Sequence, residues 1–340
     1  MYCFEFTLRR CGFFDRRTPT IWQREVRYFA KSIAFGNLFR QTTDEACTEA
    51  VIESWNSGVR YFDVAPHYGL GLGERRLGQA IKTLPRAEIV ISTKVGRVLV
   101  PSPETAHLQD DDCYIVPADV RRVFDYSRDG IMRSFEESLK RLDLDYIDIL
   151  YLHDPDSHWE SAATTGVQAL IELRDQGVVK AIGAGMNQHE MLTKFVKETD
   201  IDLVMLAGRF TLLEQEALQE LLPMAIERNV GIVNVGVYNS GLLAKNRPAP
   251  GTHYNYAPAP EALLQRVNSI ADVCEKFGVT LPVAALAYVQ LHPAVCSVAL
   301  GARDGSQAHE NTLRFGMSVP EELWAELSKQ GLCADPKTFA

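Results

Sequence analysis

The sequence predicts a single-domain (β/α)8 TIM barrel, and three observations predict it. First, between residues 31 and 330 short strand-like segments and amphipathic helical segments alternate along the chain. Second, the strand-like segments are continuous apolar runs, as expected when a parallel sheet is buried on both faces. Third, several of these runs end in an ionisable or amide side chain, and the C-terminal ends of barrel strands are where this fold carries its chemistry. A doubly wound sheet is the alternative arrangement of the same units.

The elements follow in order. "SIAF" (32–35) is the first strand, and the helix after it opens at Thr43 and stops at Gly58. "VRYFDV" (59–64) is the second strand, with "GERRLGQAIKTL" as its helix. "EIVISTKV" (88–95) is the third, and "IMRSFEESLKRL" (131–142) is helical. "YIDILYLH" (146–153) is the fourth strand, followed by the helix "GVQALIELRDQG". "VVKAIGAG", "DLVMLAG" and "VGIVNVGV" are the next three strands. Their helices are "MLTKFVKET", "QEALQELLPMAIERN" and the pair "EALLQRVNSIADVCEKFG" and "PVAALAYVQL". "VCSVALG" (295–301) is the eighth strand.

Three segments stand outside this alternation. Residues 97–128 form a long polar insertion after the third strand, too long for a plain connection and of the kind that is usually functional or disordered. Residues 1–30 mix aromatics with five arginines by residue 24 and lack the apolar core of a secretory signal, so a poorly ordered extension is expected there. Residues 331–340 are a C-terminal tail. No Pro/Gly/Ser-rich linker divides the chain, so 31–330 reads as one domain.

Composition narrows the function. A net charge of −9 and a pI near 5.5 argue against nucleic acid as a partner, because phosphate contact needs a basic face. Seven cysteines, an odd number without a C-x-x-C pair, fit reduced thiols and a cytoplasmic setting. No run of about 18 apolar residues marks a membrane span. Oligomeric state is not legible.

The stretch "RYFDVAPHYGLGLGERRLG" (60–78) carries Gly69, Gly71 and Gly73. A G-x-G-x-x-G dinucleotide loop begun at Gly69 would need glycine where Glu74 stands, and one begun at Gly71 would need it at Arg76. No G-K-[ST] follows either, so this is not a Rossmann or P-loop signature. The polar residues before the glycines carry more. Asp63, Lys94, His153 and Asn187 each close an apolar run, and Tyr68 lies just past Asp63. Singly, each has an ordinary structural use, as a helix cap, a turn residue or a packed ring. At the same end of successive barrel strands they would all face one mouth. A tyrosine phenol with a lysine ammonium beside it favours the phenolate. A buried lysine needs a counter-ion, which Asp63 can supply. A histidine can orient a substrate oxygen. The set is a general acid/base poised on a carbonyl or alcohol oxygen, which suits hydride transfer to a cofactor and implies no nucleophile. "HDPDSH" (153–158) holds two histidines and two aspartates, but a zinc site usually draws ligands from several strand ends, and no metal is expected.

Over roughly residues 31–330 the chain resembles the aldo-keto reductase superfamily. "FDVAPHYGLGLGERRLG" is similar to the family's aspartate–tyrosine–glycine block, "ISTKVG" to its lysine strand, and "RSFEESLKRLDLDYIDILYLHDPD" to the helix and strand that lead to its histidine. The resemblance implies a (β/α)8 barrel that binds NAD or NADP without Rossmann glycines. It implies Tyr68 as the acid/base, tuned by Lys94 and Asp63, and His153 as the residue that orients the substrate oxygen. Asn187 matches the asparagine that holds the nicotinamide carboxamide. Met186 stands where the family has serine before it, and Gly208 lies near the place of the family's glutamine. Tyr238 matches the aromatic under the nicotinamide ring, and His67 and Trp159 are candidate pocket residues. "LGARDGSQAHEN" (300–311) resembles the segment that grips the adenosine end, with Gly301, Arg303, Gln307, Glu310 and Asn311 at the contact positions. Glutamine at 307, where NADP-preferring members often have a basic residue, leans the reading to NAD.

Within the superfamily, "APHYGLGLGERRLG", the long insertion with "FDYSRDGIMRSFEESLKRL", and "LYLHDPD" are most similar to the group of L-fucose (D-threo-aldose) 1-dehydrogenases, L-galactose dehydrogenase and pyridoxal 4-dehydrogenase. That implies oxidation of a hemiacetal hydroxyl to a lactone, with a small sugar or aldehyde as substrate. Some relatives are ion-channel partners, so a non-catalytic, cofactor-binding regulatory barrel is the reading from another class.

Overall fold

Eight parallel strands close into a barrel in the computed structural model, which describes residues 28–32, 35–248, 251–255 and 257–339. The barrel strands are β1 (Tyr28–Ser32), β2 (Tyr61–Asp63), β3 (Val90–Val95), β6 (Ile149–His153), β7 (Ala181–Met186), β8 (Leu203–Ala207), β9 (Gly231–Val235) and β12 (Val295–Leu300). Each pairs in parallel with its neighbour, and β1 closes the ring between β2 and β12. Two antiparallel ribbons lie outside it: β4 (Arg97–Pro101) with β5 (Val120–Phe124), and β10 (His253–Tyr254) with β11 (Ala257–Pro258).

The apolar runs are buried on both faces because alternate residues serve two cores. Ile149 and Tyr151 point into the barrel with Tyr61, Leu203, Met205 and Val233. Leu150 and Leu152 point outward into the larger core beneath the helices. The helix Asp44–Asn56 (α1) is capped by the Thr43 side chain, which accepts from the Ala46 N–H. Helix Leu72–Ala80 (α2) follows β2, and Arg128–Leu142 (α3) leads into β6.

Some expectations need correction. The first strand lies at Tyr28–Ser32 and not at 32–35, so its start falls inside the segment read as an extension. Its aromatic "YF" opening suits a strand, and parallel pairing of Ala30–Ser32 with Tyr61–Asp63 fixes its register. Residues 1–27, where most of that extension was expected, lie outside the described residues. The helix expected over 215–229 is instead a 3₁₀ turn, Glu216–Leu218, and a helix, Leu221–Glu227 (α4). Pro223 has no N–H to donate, so it is tolerated in the first turn of a helix and not in its middle. The helix Glu321–Lys329 (α5) had no counterpart in the sequence reading. The tail is docked: Leu332 and Cys333 are buried, and the Phe339 ring packs 5.6 Å from Tyr288 and 5.1 Å from His292. No helix among the described residues is long and apolar enough to cross a membrane.

Candidate active site

The centre is an ion pair with almost no exposure. Asp63 closes β2 and Lys94 stands one residue before the end of β3. Lys94 Nζ donates to Asp63 Oδ2 at 2.7 Å and to the Val64 carbonyl at 3.1 Å. The other carboxylate oxygen accepts from Ser92 Oγ at 2.6 Å, and Ser92 accepts from the Tyr61 hydroxyl at 3.0 Å. Tyr61 in turn meets the Tyr151 hydroxyl at 3.1 Å. A chain of hydroxyls through the barrel interior therefore satisfies Asp63, as a buried charge requires.

Tyr68 is brought over this pair by backbone close to backbone. A Cβ on Gly36 would sit 2.5 Å from the Tyr68 carbonyl carbon, and one on Gly69, at φ +63°, would sit 2.4 Å from the Gly36 oxygen. Only glycine at both places lets the loop after β1 seat the Tyr68 turn. That is the use of at least one glycine in the opening stretch. Lys94 Nζ then lies 4.7 Å from the Tyr68 ring centroid, and the His153 ring stands edge-on to Tyr68 at 5.9 Å. Glu74, also buried, ties α2 in place by accepting from Thr93 on β3 and from Arg141 on α3.

The insertion is a brace for this centre. Gly96 turns the chain out of β3, and a Cβ there would be 2.2 Å from the Tyr126 ring. Tyr126, at the far end of the insertion, donates from its hydroxyl to the His153 carbonyl at 2.6 Å. Arg97 holds the Asp154 carboxylate and reaches His67 Nδ1 at 3.3 Å. Arg122 binds Asp110 and donates to the His67 carbonyl at 3.1 Å. Tyr114 packs edge-on against His67 at 5.2 Å.

Several of these residues line a cleft of about 330 Å³, with Asp63 buried behind Lys94. Tyr68, Lys94 and His153 lie together on its lining. His67, Asp154, Tyr114, Met186, Met205, Val235, Asn187 and Gly301 lie on its lining as well. All four expected catalytic residues are thus gathered. Of the expected cofactor positions, Asn187 and Gly301 line the cleft, while Tyr238 packs against the core after β9 and is not on its lining. Arg303 precedes, and Gln307, Glu310 and Asn311 lie on, the helix Gly305–Phe315, which is capped by Asp304. Asn311 donates to the Gly301 carbonyl at 3.0 Å, and Gln307 Oε1 accepts from the Arg303 N–H at 3.2 Å. Glu310 pairs with Arg314. Trp159 lies away from the cleft, against Phe195 and under Lys194. His158 is 4.7 Å from Phe124 and does not join His153.

The sequence reading missed Leu38, Tyr114, Asp154, Arg97, Arg122 and Tyr126. Each reaches the site from the insertion, from the loop after β1 or from the turn after β6, where no periodicity marks a role.

After β12, Arg303 Nη1 is buried without a hydrogen-bond partner among the described residues. Burial, with Arg40 nearby, pulls the Arg303 pKa down. Two cations set close together with an unsatisfied donor fit an anionic group such as a dinucleotide phosphate. The fold, and not the segment's own sequence, brings Arg40 near Arg303.

Both imidazoles in the cleft are held neutral. Burial is the main cause for each. Arg97, Arg122 and Lys94 add repulsion at His67, which is lowered to about 2; Lys94, His67 and the same arginines act on His153. A histidine whose folded pKa lies below its unfolded value adds stability above about pH 6.5 and loses it as the pH falls, because only the unfolded chain takes up the proton. Between pH 7.5 and 5, His67 alone is expected to remove about 2 kcal/mol of stability. Denaturant titrations at the two pH values check this, and His67→Gln should reduce the difference by that amount. An unchanged difference in the variant would show that His67 is protonated in the folded protein.

Comparison with known proteins identifies the family. The profile of the Aldo/keto reductase family matches residues 32–330. The chain is 44% identical over 304 residues to a D-threo-aldose 1-dehydrogenase from a Pseudomonas species, covering 88% of this chain and 92% of that protein. It is 38% identical to a pyridoxal 4-dehydrogenase from Microbacterium luteolum, covering 84% and 89%. A glycerol dehydrogenase from Gluconobacter oxydans has the same fold, with a TM-score of 0.72 at 22% identity over 92% of this chain and 93% of that one. A closed parallel barrel with its ion pair, tyrosine and histidine at the strand ends, matched along nearly all of its described length by one family's profile, belongs to the aldo/keto reductase family of oxidoreductases.

Proposed function

We propose that the protein oxidises the anomeric hydroxyl of a D-threo-aldose such as L-fucose to the lactone, using NAD or NADP, as a cytoplasmic enzyme acting on a small molecule. The observation that carries this reading is the convergence of Tyr68, Lys94 and His153 on one cleft, with Asp63 paired to Lys94 behind it, in a chain 44% identical to a D-threo-aldose 1-dehydrogenase. A bound nicotinamide supplies the acceptor for the hydride that leaves C1. Tyr68 takes the proton of the anomeric hydroxyl as general base. The Lys94 ammonium beside its ring stabilises the phenolate, and Asp63 is that ammonium's counter-ion in a dry site. Neutral His153 donates a hydrogen bond to the substrate oxygen. Asn187 holds the carboxamide and Tyr238 the ring, while Gly301, Arg303, Gln307, Glu310 and Asn311 serve the adenosine end. Gln307 leans this end to NAD, and Arg40 with Arg303 leaves room for NADP.

Arg303→Ala is expected to weaken dinucleotide binding about 10- to 100-fold, as for loss of a charge-assisted bond. Quenching of tryptophan fluorescence by the cofactor measures it, and unchanged affinity would place the phosphates elsewhere.

Two other readings have support. The pyridoxal 4-dehydrogenase relative, and an L-galactose dehydrogenase from Arabidopsis thaliana at 26% identity, would keep the mechanism and change the substrate. A relative from Arabidopsis thaliana described as a probable voltage-gated potassium channel subunit beta is 30% identical over 75% of this chain, which supports a regulatory barrel. The test is formation of reduced nicotinamide by purified protein, with NAD and NADP offered separately against L-fucose, D-arabinose, L-galactose and pyridoxal. Turnover of a sugar supports the proposal, and turnover of pyridoxal alone replaces the substrate. Silence with every substrate, in protein that binds cofactor, favours the non-catalytic barrel.

A further inference from the structure

We propose that Asp154 is a specificity-determining residue, accepting a hydrogen bond from the substrate hydroxyl next to the reacting carbon. The inference rests on the aldose reading above. Asp154 is the one carboxylate on the cleft lining among the described residues, and the apolar Met186, Met205 and Val235 share that lining. Its Oδ2 lies 3.7 Å from His153 Nε2. One substrate can therefore present one oxygen to His153 and the adjacent oxygen to Asp154.

The carboxylate is built into place. Arg97, the first residue of the insertion hairpin, holds Oδ2, which leaves Oδ1 to accept from a ligand. Arg97 is itself set by its contact with His67 and by the Phe124 ring 5.0 Å away. The Asp154 backbone has φ +43°, in the left-handed region that a residue other than glycine rarely adopts. Its N–H donates to the Gly185 carbonyl at 3.0 Å, extending the β6–β7 pairing by one residue. Such strain persists where surrounding contacts over-determine it, and it concentrates at ligand sites. Here it turns the side chain of the residue after His153 into the same cleft as the imidazole. The side chain is 29% exposed, through the cleft. A charged acceptor in a partly desolvated wall favours a hydroxyl donor and disfavours a substrate that lacks one, because the acceptor is then left unpaired.

The test compares kcat/KM for an aldose that the enzyme oxidises with that for its 2-deoxy counterpart, in wild type, Asp154→Ala and Asp154→Asn. Wild type is expected to prefer the parent sugar by about 10- to 100-fold, the range for a hydrogen bond to a charged group. In Asp154→Ala that ratio should fall to within about 3-fold of unity, through loss on the parent sugar with little change on the deoxy sugar. Asn, which keeps the shape and an acceptor oxygen but no charge, should give a ratio between the two. It also stands in if Ala does not fold, with thermal melting and cofactor affinity as the checks. An equal preference in wild type and both variants, or no preference in wild type, overturns the role given to Asp154. If no aldose is oxidised with either cofactor, the aldose reading falls and this inference with it; oxidation with an unchanged ratio removes this inference alone.

Discussion

Tyr68→Phe is expected to lower kcat by 10²–10⁴-fold while cofactor affinity stays within a few-fold of wild type. The magnitude is that of a general acid/base removed from a site that otherwise keeps its geometry. The change deletes one oxygen. The ring can stay in place, because its position is set by the backbone approach of Gly36 to Gly69 and by edge contacts with His153 and His67. The Lys94–Asp63 pair does not depend on the hydroxyl, since Lys94 donates to Asp63 and to the Val64 carbonyl. Steady-state kinetics on the active substrate, together with cofactor titration by fluorescence quenching, separate chemistry from binding. Near-normal turnover in Tyr68→Phe would transfer the proton step to another group and sink the mechanism.

The second large effect is on stability. Asp63→Ala leaves the Lys94 ammonium buried without its counter-ion and the Ser92 hydroxyl without its acceptor. Lys94 is 2% exposed and Asp63 is fully buried, so water cannot replace the lost charge. Breaking such a pair from one side costs about 3–5 kcal/mol, whereas removing both charges costs much less. The Asp63→Ala single variant should therefore show a clear drop in denaturant midpoint. Combining it with Lys94→Met should recover most of that drop and leave turnover as low as in the worse single variant. Recovery of stability without recovery of activity separates the folding role of the pair from its role beside Tyr68. If the double variant is no more stable than Asp63→Ala, the loss comes from the cavity or the hydroxyl chain and not from the unpaired charge.

The sequence by itself determined the βα alternation and the chemistry at the strand ends. Apolar runs that end in Asp63, Lys94 and His153 are local patterns, and a closed parallel barrel turns them into convergence, because all its strands point the same way. Local signals also fixed the Thr43 cap, where a single side chain meets a single N–H. The tertiary structure alone decided the rest of the site. Arg97 reaches Asp154 and Tyr126 reaches the His153 carbonyl because β4 and β5 pair antiparallel, from Arg97 with Phe124 through to Pro101 with Val120. Gly36 reaches Gly69 because β1 lies beside β2. These contacts join residues 27 to 57 positions apart, and no periodicity of 2 or 3.6 encodes such a distance. The first strand lay four residues earlier than the sequence reading placed it for the same reason, since its register is set by its partners Tyr61–Asp63 and not by its own composition.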